Sequence, residues 1–73
     1  MKPKYEIKDR LYFQGCRREY QEENIFIPKF IEKRVTTWED EEGIEHNYVS
    51  FSYSENGFSW YPENTLTDVL SDI

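Results

Sequence analysis

The chain has 73 residues, 9 of them basic and 15 acidic, which gives a formal net charge of −6. This length allows a single domain, residues 1–73, and leaves no room for a second one. Cys16 is the only cysteine, so an intrachain disulfide is excluded and we expect a reducing, cytoplasmic location. There is no apolar run of 18 residues and no basic-then-apolar start, so we expect neither a membrane span nor a secretion signal.

The composition favours strands over helices. Alanine is absent and leucine and methionine together number four, whereas valine, isoleucine and the aromatic residues number 22. Aromatic side chains also bury a large area per residue, which helps a short chain to form a core. We therefore predict an all-β domain with little helix.

The first third of the chain predicts one strand followed by a loop. Tyr5, Leu11 and Phe13 share one parity, which predicts an entry strand preceded by a turn near Lys8–Asp9. Residues 14–24 are polar and predict a loop with Tyr20 tucked beneath it.

The middle of the chain predicts two longer strands joined by an acidic turn. A short strand is expected at 25–27 and a second one at 30–38, where a parity break predicts a bulge or a two-sided strand. Glu39–Gly43 predicts a turn, since four acids precede a glycine that can take a positive φ. Residues 44–53 alternate cleanly, with Val49 and Tyr53 on the inward parity.

The last third predicts a hairpin and a helical turn. Asn56-Gly57 favours a tight type I′ turn leading to a strand at 58–61. Residues 62–64 predict one helical or 3₁₀ turn, because proline suits a helix start. The apolar residues after that turn are expected to close the core from a last short strand or from a final helical turn.

Two stretches carry a resemblance to a known fold: Tyr5-Glu-Ile-Lys-Asp-Arg-Leu-Tyr-Phe13 and Trp60-Tyr-Pro-Glu-Asn-Thr-Leu66. They resemble the entry and exit of small SH3-like proteins from bacteria and their phages, although Lys8 stands where that family has glycine. The resemblance implies an SH3-like barrel of about five antiparallel strands with a short helical turn near the C-terminus, and no particular chemistry. The alternative is a twisted antiparallel sheet with one C-terminal helix packed on it.

The sequence lacks the constellations that catalysis needs. His46 is the only histidine, and Cys16 has no second cysteine to act as a resolving thiol. No phosphate loop, zinc site, calcium loop or nucleophile elbow is present. We expect no enzyme activity, no cofactor, no metal site and no small-molecule substrate.

The charges are divided along the chain and favour protein binding. All nine basic residues lie within residues 1–34, whereas residues 35–73 hold nine acidic residues and no lysine or arginine. A surface of carboxylates resembles the phosphate backbone of DNA in the sign and spacing of its charges, so it can occupy a basic nucleic-acid channel. Electrostatic attraction speeds such an encounter, and small phage inhibitors of host nucleic-acid enzymes often work in this way. The candidate partner-binding residues are the acidic Glu39, Asp40, Glu41, Glu42 and Glu45 and the aromatic Trp38, Tyr48 and Tyr61.

Two other interpretations remain open at this point. The acidic turn could be only a solvated loop. Alternatively, the basic N-terminal half could bind nucleic acid through Arg17, Arg18, Lys33 and Arg34, beside aromatic residues that would stack on bases. The sequence leaves the oligomeric state open.

Overall fold

The computed structural model describes residues 2–73 and is mostly β. The elements in chain order are β1 (Tyr12–Phe13), α1 (Arg18–Glu23), β2 (Phe30–Glu39), β3 (Glu45–Ser54), β4 (Tyr61–Pro62), a 3₁₀ turn (Glu63–Thr65) and β5 (Leu66–Thr67). The expected predominance of strands is confirmed.

The strands form two antiparallel sheets. β2, β3 and β4 are neighbours in one sheet, and β1 pairs with β5 in the other. The two sheets are not closed into one barrel. β2 and β3 pair over their full length, from Phe30 opposite Ser54 to Glu39 opposite Glu45, so the expected acidic turn between them is present.

The core lies at one end of the β2–β3 hairpin. Its buried side chains are Tyr5, Leu11, Phe26, Phe51, Tyr53 and Leu66. Phe13, Ile31 and Val49 pack against this cluster. The alternation predicted for β3 is therefore confirmed, since its inward residues enter or border the core while the residues between them face away.

The far end of the hairpin has no such cover. Residues 35–48, called the arm below, are exposed except for the half-buried Asp40. The molecule measures 48 × 26 × 20 Å along its principal axes, which fits a small body with a long projection. The β2–β3 register runs without a bulge, so Val35 and Trp38 lie on opposite faces of a two-sided strand.

The polar segment 14–24 contains a helix, so the prediction of a plain loop was wrong. A six-residue helix is not stable alone, and here tertiary contacts hold it. Gln21 is 1% exposed, its Nε2 donates to the Phe13 carbonyl (2.8 Å), and its Oε1 accepts from the Ser71 N–H (2.7 Å). Tyr20, expected to be tucked in, is 50% exposed.

The Asn56-Gly57 turn also differs from its prediction. The β3–β4 hairpin forms, but only Gly57 has a positive φ (82°), whereas a type I′ turn needs two such residues. The Asn56 Oδ1 instead accepts from the N–H groups of Phe58 (2.8 Å) and Ser59 (2.9 Å). These side-chain bonds build a wider loop, and the last strand of the hairpin shortens to Tyr61–Pro62.

The remaining local predictions had mixed outcomes. The turn before the entry strand is confirmed, with Lys8 at φ 75°, and so is the 3₁₀ turn at Glu63–Thr65. The short strand at 25–27 is reduced to a single bridge between Phe26 and Leu11. The core is closed by Leu66 from β5, while Val69 is exposed and residues 68–73 contain no helix.

The buried position of Gln21 makes a testable prediction. Gln21→Leu leaves the Phe13 carbonyl and the Ser71 N–H without their partner, which we expect to lower the free energy of unfolding by about 1–3 kcal/mol. Urea denaturation measures this change. Tyr20→Leu, one residue away on the exposed side of the same helix, is the control and should shift the free energy by less than about 0.5 kcal/mol.

A second prediction concerns alkaline pH. Burial and the hydrogen bond to Glu63 raise the pKa of Tyr53 from 10.0 to about 12, so the folded state favours the neutral phenol. This stabilisation is complete below about pH 10 and is lost as the pH rises through about 12. Urea denaturation at several pH values across that range should show that the free energy of unfolding of the wild type falls with pH more steeply than that of Tyr53→Phe. The same pH dependence in both proteins would contradict the assignment.

Candidate functional site

The loop at the end of the arm is organised by Asp40. Its Oδ1 accepts hydrogen bonds from the N–H groups of Glu42 and Ile44, both at 2.9 Å, and its own N–H donates to the Ile44 carbonyl (3.0 Å). Gly43 completes the turn at φ 82°. The loop therefore has a defined shape, with the side chains of Glu41 and Glu42 exposed.

A second set of contacts joins this loop to one face of the arm. The His46 Nε2 lies 2.7 Å from the Asp40 Oδ2, and the His46 ring is stacked on Trp38 with centroids 5.4 Å apart. Trp38 and His46 are directly opposite each other in the register. Asp40, His46 and Trp38 thus form a continuous chain of contacts at the tip.

The electrostatics of the tip keep Asp40 charged. The hydrogen bond from His46, followed by that from the Ile44 N–H, lowers the pKa of the Asp40 carboxyl below its usual 3.8. Asp40 is thereby committed to internal contacts. Asp40 therefore positions the loop, whereas the carboxylates around it are exposed.

The two faces of the arm carry different groups. Trp38, His46 and Tyr48 share one face, and Glu39 and Glu45 stand opposite each other on the other face. Like charges directly opposite are unfavourable in a sheet, so this pair adds no stability to the arm. Trp38 and Tyr48 are 48% and 60% exposed, which leaves both rings available for contact.

Seven of the eight predicted partner-binding residues are brought together on the arm: Glu39, Asp40, Glu41, Glu42, Glu45, Trp38 and Tyr48. Tyr61 is not among them. It packs at the base, with its ring 5.3 Å from Phe13 and 5.4 Å from Phe26, and it pairs with Tyr53. Tyr53 is seven positions along β3 from His46, which corresponds to about 23 Å along a strand.

The residues of the alternative nucleic-acid surface do not share one face. Lys33 and Arg34 are consecutive in β2, so their side chains point to opposite sides of the sheet. Arg34 lies 3.1 Å from Glu32, and Arg18 in α1 lies 3.0 Å from Glu22. Arg17 precedes α1 and so belongs to a different part of the fold.

Other chemistries find no assembled site in the part of the chain that the structure describes. No group of three or more His, Cys, Asp or Glu side chains in residues 2–73 is arranged to hold a metal ion. Cys16 is a free, half-buried thiol. No helix among these residues is long and apolar enough to cross a membrane.

The sequence analysis missed the structural role of His46. Its partner Asp40 stands six residues earlier, across a turn that contains glycine, and that spacing places the two residues near each other at the end of a hairpin.

No family model, curated protein or solved structure matches the chain. The interpretation of the site therefore rests on its geometry.

The lowered pKa of Asp40 makes a prediction for the tip. The stabilisation that its carboxylate gives to the loop is present above its usual pKa of 3.8 and is lost as the pH falls through the lower folded-state value. An NMR titration that follows the amide shifts of Glu42 and Ile44 should show a midpoint below 3.8. Asp40→Asn is the control, since it should abolish this transition, and a midpoint at or above the usual value would contradict the assignment.

Proposed function

We propose that the protein is a binding module that attaches to a basic surface of another protein through the tip of its arm. The observation that carries this proposal is the projecting, uncovered hairpin. A two-stranded ribbon is marginally stable alone in water, and residues 35–48 gain no cover from the core. A partner surface would provide that cover.

The side chains at the tip support a protein partner. Exposed tryptophan and tyrosine are among the residue types that carry most of the binding energy at protein interfaces. Trp38 is held in place by its stack on His46, so it loses little conformational freedom on binding. Tyr48 lies on the same face, two residues along β3 from His46.

The charge of the arm supports a basic partner surface. Residues 35–48 contain five carboxylates and no lysine or arginine. Such a patch attracts basic surfaces and repels nucleic acid, and it makes association faster at low salt. A protein that handles nucleic acid has a basic surface of this kind, so an inhibitor that imitates DNA, of phage or mobile-element origin, is the form of the proposal that we favour.

We also propose that the arrangement of the strands is SH3-like. The pairing of β1 with β5 and the 3₁₀ turn between β4 and β5 support the SH3-like arrangement expected from the entry and exit stretches. The cytoplasmic location expected from the single cysteine also stays a prediction.

The test is affinity capture from a nuclease-treated bacterial lysate at low and moderate salt, with mass spectrometry of the bound proteins. The arm variant replaces Glu39, Glu41, Glu42 and Glu45 with lysine and spares Asp40, because Asp40 orders the loop. The matched variant makes the same charge change at Glu6, Glu23, Asp68 and Asp72, which are exposed and lie outside the arm.

We expect the wild type and the matched variant to capture the same basic protein, less at higher salt, and the arm variant to lose it. Equal loss with both variants would mean that only the overall charge matters and would contradict a site on the arm. A different outcome is that the wild type recovers nucleic acid from a lysate without nuclease and no protein from a lysate with nuclease. That result would favour nucleic-acid binding by the basic N-terminal half.

A further inference from the structure

β3 has a neighbour on its outer side over only two residues. β4 pairs with Ser52 and Tyr53. Residues 45–51 therefore have a partner strand in β2 and, among residues 2–73, no paired residue on the other side. An unpaired strand edge is a template for another strand. The free stretch is seven residues long, which is a full strand in a typical sheet.

The two free edges of the hairpin differ in how they are protected. β2 carries Lys33 and Arg34 and follows Pro28, and such residues discourage pairing with other chains. The free stretch of β3 contains no lysine, arginine or proline. The sequence of β3 therefore lacks the residues that protect an edge strand, although β4 covers its outer side only at Ser52 and Tyr53.

A groove runs along this edge of β3. It has a volume of about 600 Å³ and is lined on one side by Tyr48–Phe51 and on the other by Lys2, Lys4 and Asn64. The Lys4 N–H donates to the Glu63 Oε2 (3.0 Å), and Glu63 directly follows β4. Lys4 therefore lies at the end of the groove where β4 stops.

We propose that a second copy of this chain fills the groove, with the two β3 edges paired antiparallel about a two-fold axis at Tyr48. Pairing residues 45–51 of one copy with residues 51–45 of the other uses the whole free edge without displacing β4. Tyr48 then lies opposite Tyr48 of the second copy, and aromatic cross-strand pairs of this kind are favourable. The contact is the same from both sides, as a two-fold interface requires.

Charge complementarity favours this occupant over an unrelated peptide. In the paired arrangement, Glu45 lies opposite Phe51 of the second copy, so the acidic loop that precedes it leaves the sheet where β4 of that copy stops. This is the end of the groove at which Lys4 lies, and Lys2 also lines the groove. The symmetry repeats this contact, so both acidic loops meet a lysine pair. Edge pairing leaves the two faces of each arm open, but it engages Tyr48 and the acidic loop, which the proposed function also uses. Dimerisation and partner binding therefore compete for these residues, and sedimentation of the chain alone tests the dimer without the partner.

The test is sedimentation equilibrium of the full chain, with the protein folded and untagged. A seven-residue strand pair is a small interface, so we expect a dissociation constant on the order of 10–100 µM. Tyr48→Lys places two like charges opposite each other at the axis and should raise this constant about tenfold or more. Thr36→Lys is the matched control, since Thr36 pairs with Tyr48 within the hairpin but lies on β2, and it should leave the constant unchanged.

A charge exchange tests the register. Lys2→Glu with Lys4→Glu should weaken the dimer about fivefold, and Glu41→Lys with Glu42→Lys should do the same. A variant with all four changes keeps the net charge and should restore wild-type affinity, because each altered loop again meets an opposite charge. A monomer at every concentration, a larger effect of Thr36→Lys than of Tyr48→Lys, or no restoration in the fourfold variant would each overturn the proposal.

Discussion

Tyr53 joins the separate parts of this small fold. Its ring lies 5.8 Å from that of Tyr5, its hydroxyl donates to the Glu63 carboxylate (2.6 Å), and the same oxygen accepts from the Tyr5 N–H (3.2 Å). The Tyr5 hydroxyl in turn donates to the Leu66 carbonyl in β5. One side chain of β3 thus links the N-terminal segment, the 3₁₀ turn and, through Tyr5, the second sheet.

The position of that core explains why the other end of the molecule is exposed. A short chain buries a smaller fraction of its surface than a longer one, and here that burial is concentrated at one end of the ten-residue hairpin. The side chains of Phe51 and Tyr53 in β3 are buried in the core, and Val49 packs against it. Residues 45–48 of the same strand are exposed. The arm is therefore the part of the hairpin that lies beyond the core, and its composition decides what it is suited for.

The arm contains features that local stability alone does not favour. Glu39 and Glu45 are paired across the strands, and two large aromatic side chains face solvent. Natural sequences depart from such local preferences mainly where a surface has a function. Asp40 offsets part of this destabilisation, because its hydrogen bonds fix the loop that carries Glu41 and Glu42.

The sequence by itself determined the strand content, the alternation of β3, the acidic turn and the 3₁₀ turn, because periodicity and turn chemistry are local properties. It also grouped seven of the eight candidate partner-binding residues that share the arm, since they are close along the chain. Only the tertiary structure decided the burial of Gln21, the wider Asn56 loop, the position of Tyr61 at the base and the free edge of β3. The Asn56 loop is held by short-range side-chain hydrogen bonds that the Asn-Gly rule does not specify. The other three features depend on contacts between residues distant in sequence, and no local pattern specifies which strand end remains uncovered.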